Sequence, residues 1–357
     1  METLSDRLLA ALIGAAELFT VELGRELGLY AALRDRPLDA AELAKTAGID
    51  ERYAGEWLSQ QAAAGFLTVS DSRFALAEGA AEALLDEGGP FYLGTAGEFA
   101  VGLGLLTPRV IEAFRTGAGI PYADYGRHIR HGIAAFNRPM FDLQLTTEWL
   151  PAVPAIESRL RAEPGARVLD LGCGAGRSSI ALALAYPAIS VRGVDLDEPS
   201  IAEARAAAAD AGVADRVTFA LADAAVADAG ASGPADAAVA DSGAFDLVTI
   251  FEALHDMGDP VGVLRAARSS LAPGGSVFIG DERVEDSFTA PAGEMERLQY
   301  AFSVLHCLPA TRAENPVIAN GTILRAPTLL AWAREAGFNS PTVLPIENDF
   351  WRFYHLH

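Results

Sequence analysis

The spacing of apolar residues predicts a long N-terminal helix. From Leu8 to Leu33 apolar side chains recur at intervals of three and four residues, which places them on one side of a helix. This apolar face comprises Leu8, Leu9, Leu12, Ile13, Ala16, Leu18, Phe19, Leu23 and Leu27. A face of this width needs a partner surface, because exposed apolar patches of such size are rare on monomers. We therefore predict a homodimer that pairs through this region.

The next segment has the outline of a winged helix-turn-helix. Helical patterns cover 38–44, with Asp39 as its predicted cap, and 53–65, which Asp50 precedes, and two short β patterns occupy 66–76. This outline invites a DNA-binding interpretation. However, the segment that would enter the major groove begins with residues 50–57, which contain three acids and one arginine. Major-groove readers present basic and amide side chains. We therefore interpret residues 1–90 as a dimerisation domain.

A second helical stretch with aromatic and glycine interruptions covers residues 91–160. A stretch of this kind between two domains is typical of a lid or cavity wall. Tyr122 and Tyr125 are candidate substrate contacts, although core packing is the usual role of such tyrosines. His128 and His131 lack a further ligand at metal-site spacing, so we predict no metal site.

From residue 161 to 357 the pattern alternates short β-branched runs with helical segments, which predicts an α/β domain with a Rossmann-like, doubly wound, mostly parallel sheet. The predicted strands lie at 167–170, 190–195, 217–219, 245–250 and 276–280. The Ala/Asp/Gly-rich segment between Asp223 and Phe245 has almost no large apolar residue and is predicted to be a surface loop.

The charge and the cysteine content limit which classes of partner and which cellular compartment we expect. The chain has 27 Lys and Arg against 48 Asp and Glu, a net charge of −21 that repels nucleic acid and other polyanions. No apolar run is long enough to cross a membrane, and the first ten residues lack the features of a signal peptide. The two cysteines, Cys173 and Cys307, form no disulfide or zinc pattern. We therefore expect a cytoplasmic protein with no nucleic-acid or membrane partner.

The strongest chemical signal is a glycine loop at the end of the first predicted strand of the α/β domain. Residues 168–176 read Val-Leu-Asp-Leu-Gly-Cys-Gly-Ala-Gly, and glycines of this kind let a ligand approach the backbone. The dinucleotide pattern G-x-G-x-x-G/A is absent, which disfavours NAD. The next strand ends in Asp195, nineteen residues after Gly176, where a carboxylate can accept hydrogen bonds from ribose hydroxyls.

Between residues 166 and 280 these motifs resemble, in the same order, those of class I S-adenosylmethionine-dependent methyltransferases. The resemblance implies S-adenosylmethionine as cofactor and a small-molecule acceptor. It places Asp170 and the glycine loop at the methionine end of the cofactor and Asp195 at the ribose. Leu196 would lie on the adenine ring and Asp223 at its amino group. The cofactor residues implied are Asp170, Gly172, Cys173, Gly174, Asp195, Leu196, Asp223, Ala224 and Phe251.

His255 and Asp256 follow the fourth predicted strand of the α/β domain and are the candidate catalytic residues. They resemble the His-Asp pair of winged-helix small-molecule O-methyltransferases, in which the histidine is the general base. A neutral imidazole can accept the proton that a hydroxyl or amine loses. The Trp that usually follows the pair is replaced by Met257, and a purely packing role for His255 stays open. Phe302 and His306, four apart on a probable helix, are further substrate candidates.

The motifs leave alternatives to methyl transfer. An enzyme that binds the same cofactor but cyclises or rearranges its substrate would carry the same loop. A winged-helix regulator that senses a metabolite is a further alternative, against which the acidic segment 50–57 argues. The acceptor atom can be oxygen, nitrogen or carbon.

Overall fold

The computed structural model describes residues 3–225 and 245–357, which form two compact units. The helical unit contains the described residues up to Leu105 together with Arg127–Pro139, and the sheet unit contains Leu106–Gly126 and Met140–His357. The segment predicted as a surface loop lies outside the described residues from position 226 to 244.

The predicted domain limits after residues 90 and 160 do not coincide with the limits of these units. The reason is a long helix, α6, which begins in the helical unit at Ala96 and ends in the sheet unit at Thr116. The predicted lid region is therefore divided between the two units.

The helical unit consists of helices and one two-stranded antiparallel hairpin. Its elements, with α6 and α7 shared with the other unit, are α1 Leu4–Glu26, α2 Leu29–Ala32, α3 Ala40–Ala47, α4 Glu51–Ala63, β1 Leu67–Ser70, β2 Arg73–Leu76, α5 Ala80–Leu84, α6 Ala96–Thr116 and α7 Gly126–Met140.

Polar caps fix where these helices begin. Asp39 and Glu42 form a capping box at the start of α3, and Asp50 accepts hydrogen bonds from the first turn of α4. Both helix starts predicted from the sequence are confirmed. Between the two helices the chain reverses at Gly48, whose φ of 69° favours glycine.

The apolar core of the helical unit leaves much of α1 uncovered. The buried cluster includes Leu29, Leu43, Leu58 and Leu67 but only Val21 from α1. Within this structure of a single chain, the apolar side chains of the first α1 turns are exposed, as Leu12 at 67% illustrates. The wide apolar face predicted from the sequence is therefore present on the surface.

The sheet unit is built from a seven-stranded sheet with helices on both faces. The helical elements that follow α7 are a π-helical turn Phe141–Trp149, α8 Pro154–Arg161, α9 Arg177–Ala185, α10 Glu198–Asp210, α11 Pro260–Ser270, α12 Glu294–Phe302, a π-helical turn Ser303–Cys307, α13 Leu308–Ala313 and α14 Ala326–Glu335. The strands are β3 Arg167–Leu171, β4 Ser190–Asp195, β5 Val217–Leu221, β6 Phe245–Phe251, β7 Leu271–Glu282, β8 Thr342–Val343 and β9 Trp351–Leu356.

The strand order is β5-β4-β3-β6-β7-β9-β8. The pairs from β5 to β7 are parallel, and β9 is antiparallel to both β7 and β8. Rossmann-like topology is thus confirmed. The chain proceeds outward from β3 to β5 on one side and from β6 to β7 on the other, so the direction reverses between β3 and β6. Open α/β sheets bind ligands in the crevice at the carboxyl ends of such strands.

Two apolar cores cover the faces of the sheet. One includes side chains of α9 and α10 with an aromatic group around Trp149 and Trp351, and the other includes side chains of α11 and α14. Among the described residues no helix combines the length and apolarity that crossing a bilayer requires.

Candidate active site

The glycine loop leaves the carboxyl end of β3 and is fixed to the end of β4. Backbone N–H groups of Gly172 and Cys173 donate to the carbonyl of Val194 at 2.8 and 3.1 Å. The N–H of Gly174 donates to Asp195 Oδ2 at 2.8 Å. The loop is therefore held by the same strand end that supplies the predicted ribose carboxylate.

Three glycines of this loop have positive φ, but their surroundings differ. A Cβ at Gly172 would lie 2.6 Å from the Ala253 side chain, and one at Gly176 would lie 2.5 Å from the Phe219 ring. A Cβ at Gly174 would meet nothing within 4 Å. The Gly174 backbone thus faces open space, as a ligand cradle requires, whereas Gly172 packs against the segment that carries the predicted catalytic pair.

Asp170 lies beneath this loop at the end of β3. Its carboxylate accepts hydrogen bonds from Ser178, Ser179 and Thr249 at 2.6 to 2.8 Å, and the residue is 1% exposed. Burial raises the pKa of Asp170. These hydrogen bonds connect Asp170 on β3 with α9 and β6, so the residue stabilises the three elements against one another at the crevice.

The predicted ribose and adenine residues follow β4 and β5. Asp195 Oδ1 accepts from the N–H of Asp197 at 2.9 Å, and burial raises the pKa of the Asp195 carboxyl. Leu196 is 54% exposed, so its side chain is open to contact with an adenine ring. Asp223 is exposed and accepts from the N–H of Ala225 at 2.8 Å, next to the buried Ala224.

His255 lies at the carboxyl end of β6 with a buried carboxylate behind it. Its Nδ1 is 2.9 Å from Asp281 Oδ1, and both residues are at most 2% exposed. Its Nε2 is 3.4 Å from Asp256 Oδ1. Burial alone would lower the pKa of His255, but Asp256 and Asp281 outweigh it, so the pKa lies well above its usual range.

The predicted substrate residues Tyr122, Tyr125 and His306 come together. The Tyr125 hydroxyl donates to the backbone carbonyls of Leu305 and His306, both at 3.1 Å. The rings of Tyr125 and Tyr122 lie edge-on to His306, with centroids 4.5 and 5.7 Å away. Burial lowers the pKa of His306, which favours the neutral ring.

Three other predicted residues lie less directly at the crevice. Phe302 is half-buried at the end of α12. Cys173 is 7% exposed. The Phe251 ring packs into the aromatic core, 5.4 Å from Phe141 and 6.2 Å from Trp351, so its side chain belongs to this core and is not exposed at the crevice.

Sequence reasoning missed Asp281, Cys307 and Glu314. Asp281 directly follows the predicted strand 276–280, which was an available signal. Cys307 interacts with His255, a contact that the sequence gives no means to foresee. The Glu314 side chain is exposed, and partial desolvation together with the nearby Asp256 raises its pKa to about 7.

Comparison with known proteins agrees with this geometry. Residues 162–316 match the family described as "Methyltransferase domain". The chain is 29% identical over 198 residues to a ubiquinone biosynthesis O-methyltransferase of Pseudomonas aeruginosa, covering 54% of this chain and 73% of the relative. It is 34% identical over 135 residues to the 27-O-demethylrifamycin SV methyltransferase of Amycolatopsis mediterranei, covering 38% and 45%.

Residues 162–316 therefore form a methyltransferase domain, and the protein is an S-adenosylmethionine-dependent methyltransferase. Enzymes of this class use S-adenosylmethionine as methyl donor. The methyltransferase also shares its fold with human N-acetylserotonin methyltransferase, whose structure was solved in complex with SAM. That likeness has a TM-score of 0.66 at 16% identity and covers 100% of this chain and 98% of that one.

The residues of the methyltransferase crevice fit this cofactor. The open backbone of Gly174 suits the methionine portion, the carboxylate of Asp195 suits two vicinal hydroxyls, and the exposed Leu196 side chain suits an aromatic ring. All three groups lie on one loop and the adjoining strand end.

Proposed function

We propose that the protein transfers a methyl group from S-adenosylmethionine to a hydroxyl oxygen of a small molecule, with His255 as the proton acceptor. The observation that carries this proposal is the buried His255–Asp281 pair, 2.9 Å apart, in the segment packed against the glycine loop. A hydroxyl acceptor must lose a proton as its oxygen attacks, and an oriented imidazole next to the donor site supplies the base.

The cofactor supplies an electrophilic methyl on a sulfonium, and the chain supplies position and proton transfer. The Asp281 carboxylate accepts from Nδ1–H, which leaves Nε2 as the basic nitrogen and fixes the plane of the ring. The edge-on rings of Tyr122, Tyr125 and His306 form an aromatic wall suited to a flat acceptor. Holding acceptor and donor in line supplies much of the rate enhancement.

The test uses His255→Gln and Asp195→Ala beside the wild type. Calorimetry with S-adenosylhomocysteine measures the cofactor site, and a panel of hydroxylated acceptors with mass detection measures transfer. We expect His255→Gln to keep cofactor affinity and to lose about 10²–10⁴-fold in transfer rate. Asp195→Ala should lose cofactor affinity. His355→Gln, on β9, serves as the matched control and should behave as wild type.

Two results would contradict the proposal. Unchanged transfer in His255→Gln would remove the proton-acceptor role. A product with a new ring or rearranged skeleton, and no added methyl mass, would favour the cyclising alternative.

We further propose that the chain forms a homodimer through the winged-helix-like helical unit. The support is the exposed apolar face of α1, where Leu8 and Leu12 are 63% and 67% exposed. Single exposed apolar residues are normal on a protein surface, whereas a contiguous apolar face of this kind marks an interaction site. A cytoplasmic location agrees with two buried, free cysteines.

A further inference from the structure

A cluster of three different metal-ligating side chains lies at the proposed proton acceptor. His255, Asp256 and Cys307 each offer one ligand atom, and these atoms lie within 4.8 Å of one another. His255 and Cys307 are buried and Asp256 is partly exposed. The three residues come from two segments 51 residues apart in sequence, the end of β6 and the π-helical turn Ser303–Cys307.

We propose that His255 Nε2, Asp256 Oδ1 and Cys307 Sγ form a binding site for a thiophilic divalent cation, with Zn²⁺ as the best fit. Nitrogen, thiolate sulfur and carboxylate oxygen are the ligand types that zinc takes, and a thiolate disfavours Mg²⁺ and Ca²⁺. Three protein ligands leave a fourth position for water or for the acceptor oxygen.

The spacing of the ligand atoms suits tetrahedral coordination. Zinc bonds of about 2.1 Å to nitrogen and oxygen and about 2.3 Å to sulfur require ligand separations of roughly 3.4 to 3.6 Å. His255 Nε2 and Asp256 Oδ1 already lie 3.4 Å apart. Cys307 Sγ lies within 4.8 Å of both atoms, so a movement of about 1 Å brings it to the separation that coordination requires.

The surroundings orient these ligands as a metal site requires. Asp281 Oδ1 accepts a hydrogen bond from His255 Nδ1, the carboxylate–histidine arrangement that supports metal-bound imidazoles. His306 Nδ1 lies 3.4 Å from Cys307 Sγ and can donate to a thiolate. These partners hold both the imidazole and the sulfur in place.

An unsatisfied acceptor gives independent support. Asp256 Oδ1 is buried yet has no hydrogen-bond partner among the described residues. Its charged neighbour is the His255 imidazole, whose Nε2 lies 3.4 Å away without hydrogen-bond geometry, so a cation bound between the two atoms would satisfy an acceptor that the imidazole leaves without a hydrogen bond.

Cation binding has a direct consequence for the proposed reaction. The lone pair of Nε2 cannot hold a metal and accept a proton at the same time, so Zn²⁺ should inhibit methyl transfer reversibly. This consequence rests on the proposed function, whereas binding itself does not.

The test is a titration of the full chain, freed of metals, with Co²⁺ as a spectroscopic probe. We expect one Co²⁺ per chain, visible bands of tetrahedral coordination and a near-ultraviolet band from thiolate-to-cobalt charge transfer. Zn²⁺ should displace the cobalt and abolish both signals. Cys307→Ser should remove the charge-transfer band and weaken binding at least tenfold, and Asp256→Asn should weaken binding while keeping the band.

Matched variants distinguish cation binding at this site from cation binding elsewhere on the protein. Cys173→Ala removes the other cysteine of the chain and should leave the band unchanged. His128→Ala tests the second group of possible ligands, Glu22, Glu98 and His128, which contains no sulfur. Far-ultraviolet circular dichroism and thermal unfolding confirm that each variant is folded. Absence of the charge-transfer band in the wild type, or its persistence in Cys307→Ser, would overturn the site. Binding without inhibition would instead contradict the role of His255.

Discussion

At the scale of single residues, the His255–Asp281 pair makes a prediction about pH. Because Asp256 and Asp281 raise the pKa of His255, transfer should increase with pH through a pKa above about 6.5. Asp281→Asn removes one negative charge, so this limb of the kcat/KM profile should move to lower pH. The control Asp286→Asn, an exposed carboxylate that pairs with Arg352, should leave the limb in place. An unmoved limb in Asp281→Asn would show that another group titrates.

The glycine loop supports a second prediction at this scale. Gly172→Ala combines positive φ with a contact of 2.6 Å to Ala253, so we expect a loss of about 2–4 kcal/mol in unfolding free energy. Gly174→Ala has only the backbone strain, about 1 kcal/mol, but places a methyl in the cofactor cradle. It should therefore weaken S-adenosylhomocysteine binding more than stability. Thermal unfolding and calorimetry distinguish the two, and Gly212→Ala, at φ 69° with open surroundings, controls for strain.

The sequence predicted part of this site and could not predict the rest. Gly172, Asp195 and His255 follow strands, and strand ends share one edge of a parallel sheet, so pattern reasoning reached them. Cys307 belongs to a helical segment whose approach to His255 depends on how residues 303–313 pack, which no local pattern encodes. Asp281 was reachable, since it directly follows the predicted strand 276–280, but nothing in the sequence marked it as the partner of His255 Nδ1.

At the scale of elements, the segment from Gly117 to Pro121 acts as a strap on α13. The N–H of Ile120 donates to the carbonyl of Pro309, and Arg312 Nε donates to the carbonyl of Gly117, both at 2.8 Å. A Cβ at Gly119 would lie 2.0 Å from the backbone nitrogen of Ala313. Only glycine allows this approach.

Displacing the strap should weaken binding of the acceptor and leave binding of the cofactor unchanged. Gly119→Val is expected to move the strap and the adjoining Tyr125, which raises KM for the acceptor severalfold and leaves S-adenosylhomocysteine affinity unchanged. The neighbouring Ala118 is exposed, so Ala118→Val is the matched control. Equal effects of the two substitutions would contradict the strap's role.

Element prediction succeeded where local signals were strong. Capping residues Asp39 and Asp50 marked two helix starts, and β-branched runs marked five strands of the sheet. The division of residues 91–160 between units was not predicted, because α6 is one continuous helix whose two ends belong to different compact units. The position of β9 between β7 and β8 was likewise not predictable, since strand order depends on long-range pairing.

At the scale of the whole molecule, the exposed face of α1 predicts the oligomeric state. Wild-type protein should have the mass of a dimer in light scattering, and the double substitution Leu8→Glu and Leu12→Glu should give monomers because it places charges in the apolar interface. Val317→Glu, at a 77% exposed site in the sheet unit, should remain dimeric. A monomeric wild type would contradict the homodimer.

The antiparallel strand β9 has a consequence for synthesis. Trp351, Phe353 and Leu356 lie at most 1% exposed, and β9 covers the edge of β7. A ribosome that has translated only as far as residue 350 has produced every parallel strand but not the one that closes this edge. Until then the nascent sheet presents unpaired N–H and C=O groups along β7, the kind of edge on which chains aggregate. Prematurely terminated products should therefore be substrates for chaperones and proteases.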